Sequence, residues 1–391
     1  MLHNPSPERG PKVWQAHRLL KTEFPAQVQP WVVEAEGALS FSIEPELPTG
    51  LVLGIDGAIS GFPLVISAST SYAVTLTNEG GSHTINLTLA VAGETLDLSS
   101  FAISASVLPR RQGWGATNVI NDRIYFYGGN AGYWGANSYA YIQSAPVSDP
   151  LAWTDEGQIL PGDFGWSPSL RVGSKIYFYG SVAGTANKIY SLDVAAPLVV
   201  TDTTKTLPQN FNGGCIQVIE DEIYFFGGNS AGTNIWKASI ASPSDVVDTG
   251  VTLPFFGSNN PCFVIDQYLY MVEYVSGTAS GSTAKTYRAS RLDPTNWTLI
   301  ETKELGVTQQ NAGVTLIVGE YIYLFATHMS QKIYKAPLSS PGNWVDTGAT
   351  YPAIAWGSGN FQRFGNTIYL FGGNGTDYKG IDKIITVSVL P

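Results

Sequence analysis

Catalysis and metal binding draw first on histidine, and the sequence holds four: His3, His17, His83 and His328. Only His328 lies beyond residue 100, so no multi-histidine centre can assemble there, and an exposed polar role is expected for it. Cys215 and Cys262 are too few for a cysteine zinc site or a disulfide framework. The sequence has no G-x-S-x-G elbow, and a Ser/His/Asp or Cys/His site beyond residue 100 would have to use His328. Carboxylates remain, because glycoside hydrolysis needs only a pair. Asp248-Thr-Gly250 and Asp346-Thr-Gly348 recur at matching places, with Asp155-Glu-Gly157 as a third copy. Such recurrence argues against one active site, and Asp followed by Gly commonly fixes a turn or bulge. S-x-D-x-G-x-T-W boxes are also missing. The expectation is a protein without catalytic residues, resident metal or cofactor.

Binding chemistry is better supplied. Aromatic residues make up 12% of the chain, while charged residues reach only 13%, about half the roughly 25% usual in soluble domains. Tyr133 and Trp134 stand in the glycine-flanked segment Gly128-Gly-Asn-Ala-Gly-Tyr-Trp-Gly-Ala-Asn137. Trp114, Trp166, Phe211, Phe255, Phe256 and Trp356 precede small-residue strands, near Asn130, Asn229, Asn259, Asn260 and Asn374. Aromatic faces beside amides suit a sugar, which offers C–H patches to stack and hydroxyls to hydrogen bond. Packing between neighbouring repeats is the competing role for each of these rings. The candidate ligand-binding set is Tyr133, Trp134, Trp114, Trp166, Phe211, Phe256, Asn259 and Trp356.

These residues must be positioned by a repeat. The phrase Ile124-Tyr-Phe-Tyr-Gly-Gly-Asn130 returns as Ile176-Tyr-Phe-Tyr-Gly-Ser181, Ile223-Tyr-Phe-Phe-Gly-Gly-Asn229 and Ile368-Tyr-Leu-Phe-Gly-Gly-Asn374. Looser copies are Leu269-Tyr-Met-Val-Glu-Tyr274 and Ile322-Tyr-Leu-Phe-Ala-Thr327. Starts at 124, 176, 223, 269, 322 and 368 give spacings of 52, 47, 46, 53 and 46. Before each phrase comes a strand such as Gly214-Cys-Ile-Gln-Val-Ile219, and after it one such as Asn234-Ile-Trp-Lys-Ala238. A fourth strand ends on proline, as in Thr206-Leu-Pro208 and Thr252-Leu-Pro254. Diglycine permits positive φ directly after the second strand. In this arrangement the loops between strands two and three, and those between repeats, emerge on one face.

Six copies near the ~50-residue period of kelch repeats make residues 101–391 resemble a six-bladed kelch β-propeller. The resemblance weakens where Gly180-Ser181, Glu273-Tyr274 and Ala326-Thr327 replace the diglycine. It implies that Trp153, Trp297 and Trp344 pack between blades. The multi-histidine copper centre of kelch-fold galactose oxidases cannot be assembled from His328 alone. The last repeat ends at Pro391 without a fourth strand, whereas Phe101–Pro109 ends in the matching Leu-Pro. That segment is expected to complete the last blade, since a closed ring protects its edges. Cys215 and Cys262 then occupy equivalent inner strands of adjacent blades. They are expected farther apart than the ~7 Å a disulfide allows, as small buried hydrophobes.

The first hundred residues read differently. Leu47-Pro-Thr-Gly-Leu51, Gly57-Ala-Ile-Ser-Gly-Phe-Pro63 and Tyr72-Ala-Val-Thr-Leu-Thr-Asn78 resemble small bacterial Ig-like β-sandwich modules over residues 24–91. Residues 1–23 are expected as an arm and 92–100 as a linker.

The net charge of −10, with no cationic run beyond Arg110-Arg111, argues against nucleic acid. Apolar runs are strand-length, so no membrane insertion is expected, and Met1–Pro7 lacks the apolar core of a secretion signal. These features, with phrases such as Lys335-Ala-Pro-Leu-Ser-Ser-Pro341 that resemble phage appendage propellers, predict a non-enzymatic bacteriophage virion surface protein. Its arm and Ig-like module would meet other virion proteins within an oligomeric assembly, and its propeller a host glycan or receptor. The alternatives are a bacterial surface or secreted carbohydrate-binding protein and a kelch-fold carbohydrate-active enzyme.

Overall fold

The computed structural model describes residues 12–13, 17–23, 31–32, 35–36, 40–54, 58–61, 67–78, 80–129, 140–158, 160–161, 164–180, 187–211, 213–228, 232–257, 260–275, 282–305, 314–325, 331–352, 361–373 and 380–390. None of these is helical. Contacts divide the chain into two units, Met1–Leu96 with Ile317–Tyr321 and Val389–Pro391, and Asp97–Leu316 with Ile322–Ser388.

In the N-terminal unit the strands Ser40–Glu44, Ser67–Asn78, Gly81–Ala92 and His17–Glu23 form one sheet. Its last pair is parallel, and the strand His17–Glu23 falls within the stretch read as an arm. A three-stranded sheet orders Trp31–Val32, Ala58–Gly61 and Leu51–Leu53, and a two-stranded one pairs Lys12–Val13 with Ala35–Glu36. Alternation along Tyr72, Val74, Leu76 and along Ile85, Leu87, Leu89 puts one face into a core shared with Leu51 and Ile59.

The larger unit is a succession of four-stranded antiparallel sheets, a propeller-like arrangement. The first sheet runs Ala116–Ile120, Arg123–Tyr127, Tyr141–Pro146, Thr154–Gln158; the second Ser169–Val172, Lys175–Tyr179, Lys188–Asp193, Thr201–Thr206. The third is Cys215–Ile219, Glu222–Phe226, Asn234–Ser239, Val247–Thr252; the fourth Cys262–Ile265, Tyr268–Val275, Thr283–Ser290, Asp293–Glu304. The fifth is Val314–Val318, Tyr321–Phe325, Lys332–Pro337, Val345–Thr350. In the sixth, Phe361–Phe364, Thr367–Phe371 and Ile381–Leu390 are completed by the upstream strand Thr95–Gln112. That strand starts within the segment expected as linker.

Second strands are buried on both faces, as in Ile124–Tyr127 and Ile223–Phe226, because each sheet is covered by a neighbour. Outer strands such as Thr201–Thr206 are mostly exposed. Rings lock adjacent sheets edge to face: Tyr127 on Phe178 at 5.1 Å, Tyr179 on Phe225 at 4.8 Å and Trp297 on Phe226 at 5.2 Å. Trp153 meets Phe371 of the sixth sheet at 4.8 Å, and Trp344 donates Nε1–H to Thr286 of the fourth at 3.1 Å. The three tryptophans thus pack between sheets, as the resemblance implies.

The upstream strand is fixed on both sides. Leu108 shares a core with Ile124, Phe126, Phe371 and Ile384, and Ser388 N–H donates to Ser100 Oγ at 2.7 Å. Arg110 N–H donates to Gln143 Oε1 at 2.8 Å, and its Nε pairs with Asp155 at 2.6 Å. The fully buried Gln143 donates to the equally buried Gln112, whose Nε2 reaches the Gly128 carbonyl at 2.6 Å. Satisfied buried amides of this kind fix one register between the first and last sheets.

The recurrent Asp-x-Gly copies are bulges. Asp248 Oδ1 accepts the Gly250 N–H at 2.8 Å, Thr249 Oγ1 donates to the Ile235 carbonyl at 2.6 Å, and pairing shifts register there. Asp346-Thr-Gly348 repeats these contacts. The second sheet has Asp202-Thr203-Thr204 instead, with Thr204 at φ 63 where Gly250 has φ 72. A β-branched residue resists the left-handed region, at roughly 1–2 kcal/mol. Thr204→Gly is therefore expected to raise stability by about 0.5–1 kcal/mol, after the added chain entropy of glycine is offset. A chemical-denaturation midpoint that falls would refute this account of the bulge.

Candidate functional site

The loops that carry each outer strand into the next inner strand hold the described candidate aromatics. Trp114 and Trp166 lie half-buried in two of them, with rings edge to face at 4.7 Å. Trp166 N–H donates to the Trp114 carbonyl at 2.7 Å, and Gly213 N–H to the Trp166 carbonyl at 3.1 Å. The three are therefore equivalent links of one backbone chain. Gly213 has φ 66, and both tryptophans share that left-handed region at φ 56 and 57. Side chains disfavour this backbone, so two bulky indoles are held there against local preference. The shielded Nε1 of Trp166 meets no acceptor among the described residues.

Phe256 is 61% exposed, whereas Phe211 is wholly buried. Phe211 therefore leaves the ligand-binding set as a correction: its ring packs on Phe225 at 5.7 Å and Trp236 at 5.5 Å. The space comes from glycine, since a Cβ on Gly228 would lie 2.3 Å from the Phe211 ring. Tyr133, Trp134, Asn259, Trp356 and His328 lie outside the described residues.

The structure also joins a pair that sequence reasoning separated. Cys215 and Cys262 form a disulfide with Cα atoms 6.2 Å apart. The inner strands of the third and fourth sheets converge enough at this point to bring equivalent positions within bonding reach. Gln217 Nε2 lies 3.3 Å from the Cys262 sulfur. The 47-residue separation, one repeat period, was the available signal.

A further unpredicted feature surrounds Phe256. Glu273, buried at 9% exposure, stands where other repeats have the first glycine of the pair. Its Oε1 accepts the Phe256 N–H at 3.3 Å and its Oε2 the Tyr287 hydroxyl at 3.1 Å. Burial first, then the Glu273 charge, push the Tyr287 phenol up to about 12, so at neutral pH it stays a donor. Phe255 stacks on Tyr287 with centroids 3.9 Å apart, fixing the loop from below. No cluster of metal-ligating residues occurs among the described residues.

No family model matches the chain, and no curated protein matches it. Among solved structures, that of YjhT is similar at TM-score 0.55 and 12% identity, over 73% of this chain and 99% of that one. A structural-genomics protein of unknown function from Bacteroides thetaiotaomicron aligns over 98% of this chain and 99% of its own, at TM-score 0.46 and 12% identity. The first likeness supports the fold, a propeller-like array of four-stranded antiparallel sheets, and nothing about activity.

Proposed function

We propose that the protein is a non-enzymatic recognition protein: a six-bladed kelch propeller, preceded by an Ig-like module, that presents an aromatic loop face to a surface glycan. The observation carrying this reading is the Trp114–Trp166 pair, held half-exposed on a disfavoured backbone at the entry to the first and second sheets. Binding residues concentrate on loops held by rigid scaffolds, and tryptophans dominate binding energy where they are reached. The exposed Phe256 belongs to the same class of loop.

The setting we propose is the surface of a bacteriophage virion, with the N-terminal unit contacting other virion proteins. The phage-like repeat phrases favour it, and the Cys215–Cys262 disulfide fits an oxidising exterior. A bacterial cell-surface or secreted protein would share that exterior, and co-purification with virus particles separates the two.

The test uses a printed array of bacterial lipopolysaccharides and capsular polysaccharides. Wild type should bind a subset, and Trp114→Ala or Trp166→Ala should each weaken that binding by about 2 kcal/mol, some 30-fold. Melting should fall only modestly, because each indole is half-exposed and alanine keeps the same left-handed backbone. Unchanged binding by both variants would exclude the tryptophan face as the site.

A further inference from the structure

The fourth sheet departs from its neighbours at one point, and the departure has a consequence at the loop face. In the first and third sheets a diglycine ends the second strand, and Gly227 lies so close to Gly257 that neither has room for a side chain. In the fourth sheet the strand continues through Glu273 to Val275. Its carboxylate is buried with no cation paired to it among the described residues. Burying such a group is costly unless its hydrogen bonds matter. One of those bonds goes to the backbone of Phe256, and Asn260 Nδ2 caps the carbonyl of the same residue. Next in chain, Gly257 N–H donates to the Gly232 carbonyl at 2.8 Å. Phe256 is thus gripped at both backbone polar groups, while its ring stands 61% exposed.

We infer that Glu273 is a positioning residue, holding Phe256 as a preformed stacking platform for the C–H face of a pyranose in a surface polysaccharide. A fixed aromatic spares the ordering cost of binding, which otherwise removes affinity. Gly257 and Asn260 add no apolar side chain after it. A lone ring of this kind falls far short of the roughly 800 Å² per partner a stable protein interface needs, but matches the footprint of one sugar. The inference rests on the glycan-binding reading above.

The experiment measures affinity for the polysaccharide giving the strongest wild-type signal on that array, alongside thermal melts. Phe256→Ala should weaken binding about 10-fold or more, and Glu273→Ala about 5-fold with the ring still present. The double variant should bind no worse than Phe256→Ala, because the carboxylate acts only through the ring. Glu273→Gln, which can still accept the Phe256 N–H, should stay within about 2-fold of wild type. If Glu273→Ala does not fold, Glu273→Asp, one methylene too short to reach both partners, takes its place. Multiplicative losses in the double variant, or full affinity in Glu273→Ala or in the Glu273→Asp that replaces it, overturn the positioning role. Affinity that survives Phe256→Ala but falls in Trp114→Ala overturns this inference alone. A wild type that binds no polysaccharide overturns it together with the function.

Discussion

A variant lacking Phe101–Pro109 is expected to lose the cooperative unfolding transition of the larger unit, or to melt well below wild type. The segment lies within the outer strand of the sixth sheet, and its removal bares the edge of Ile381–Leu390. Ile384, Ile385 and Val387 on that strand are buried. An unpaired edge of this kind invites association with other chains. Leu108 goes with the segment, taking a side chain that touches both the first and the sixth sheets. Losing that side chain alone costs about 2–5 kcal/mol. With the ladder hydrogen bonds and the Arg110–Gln143 register lost or weakened, a total above about 5 kcal/mol follows. At roughly 2–4 °C per kcal/mol for large domains, melting should fall by more than about 10 °C. Leu108→Ala is the milder form, with the unit still folded. A deletion variant that melts with wild type would show that the sixth sheet does not depend on this strand.

The strand Thr95–Gln112 was legible because the Leu-Pro ending of other outer strands recurs upstream at Leu108-Pro109. The Ile-Tyr-Phe-Tyr phrase was legible for a similar reason. Its residues face cores on both sides of a sheet, so nearly every position is apolar, and that pattern recurs from sheet to sheet. The Asp-Thr-Gly bulges repeat too, and they draw on backbone groups within one sheet.

Features that depend on the distance between sheets were not legible. Phe211 reads in sequence like Phe256, an aromatic residue after a proline. Only the gap left by Gly214 and Gly228 decides that Phe211 turns inward, each glycine leaving room where a Cβ would touch the ring. Glu273 looked like a lapse in the diglycine pattern; its partners Phe256 and Tyr287 lie 17 and 14 residues away on other strands and loops. The cysteines were misjudged for want of one quantity, the separation of adjacent inner strands. At Cys215 and Cys262 that separation is 6.2 Å between Cα atoms.

The disulfide gives the other large effect. It closes a 47-residue loop, and in the chain-entropy account such a link destabilises the unfolded chain by about 4 kcal/mol. Each inner strand pairs on one side only within its own sheet, so the bond adds a covalent tie where the third and fourth sheets otherwise meet through side chains. Oxidised wild-type protein should therefore melt on the order of 10 °C above the same protein after dithiothreitol. The Cys215→Ser/Cys262→Ser variant should match the reduced form and not respond to reductant. Thiol titration of the denatured, unreduced protein should find no free sulfhydryl, since these are the chain's two cysteines. Two titratable thiols in protein recovered from an oxidising medium would remove the cross-link. It would also remove the support that the bond lends to the proposed extracellular or virion setting, because thiols that stay reduced there carry no mark of that environment.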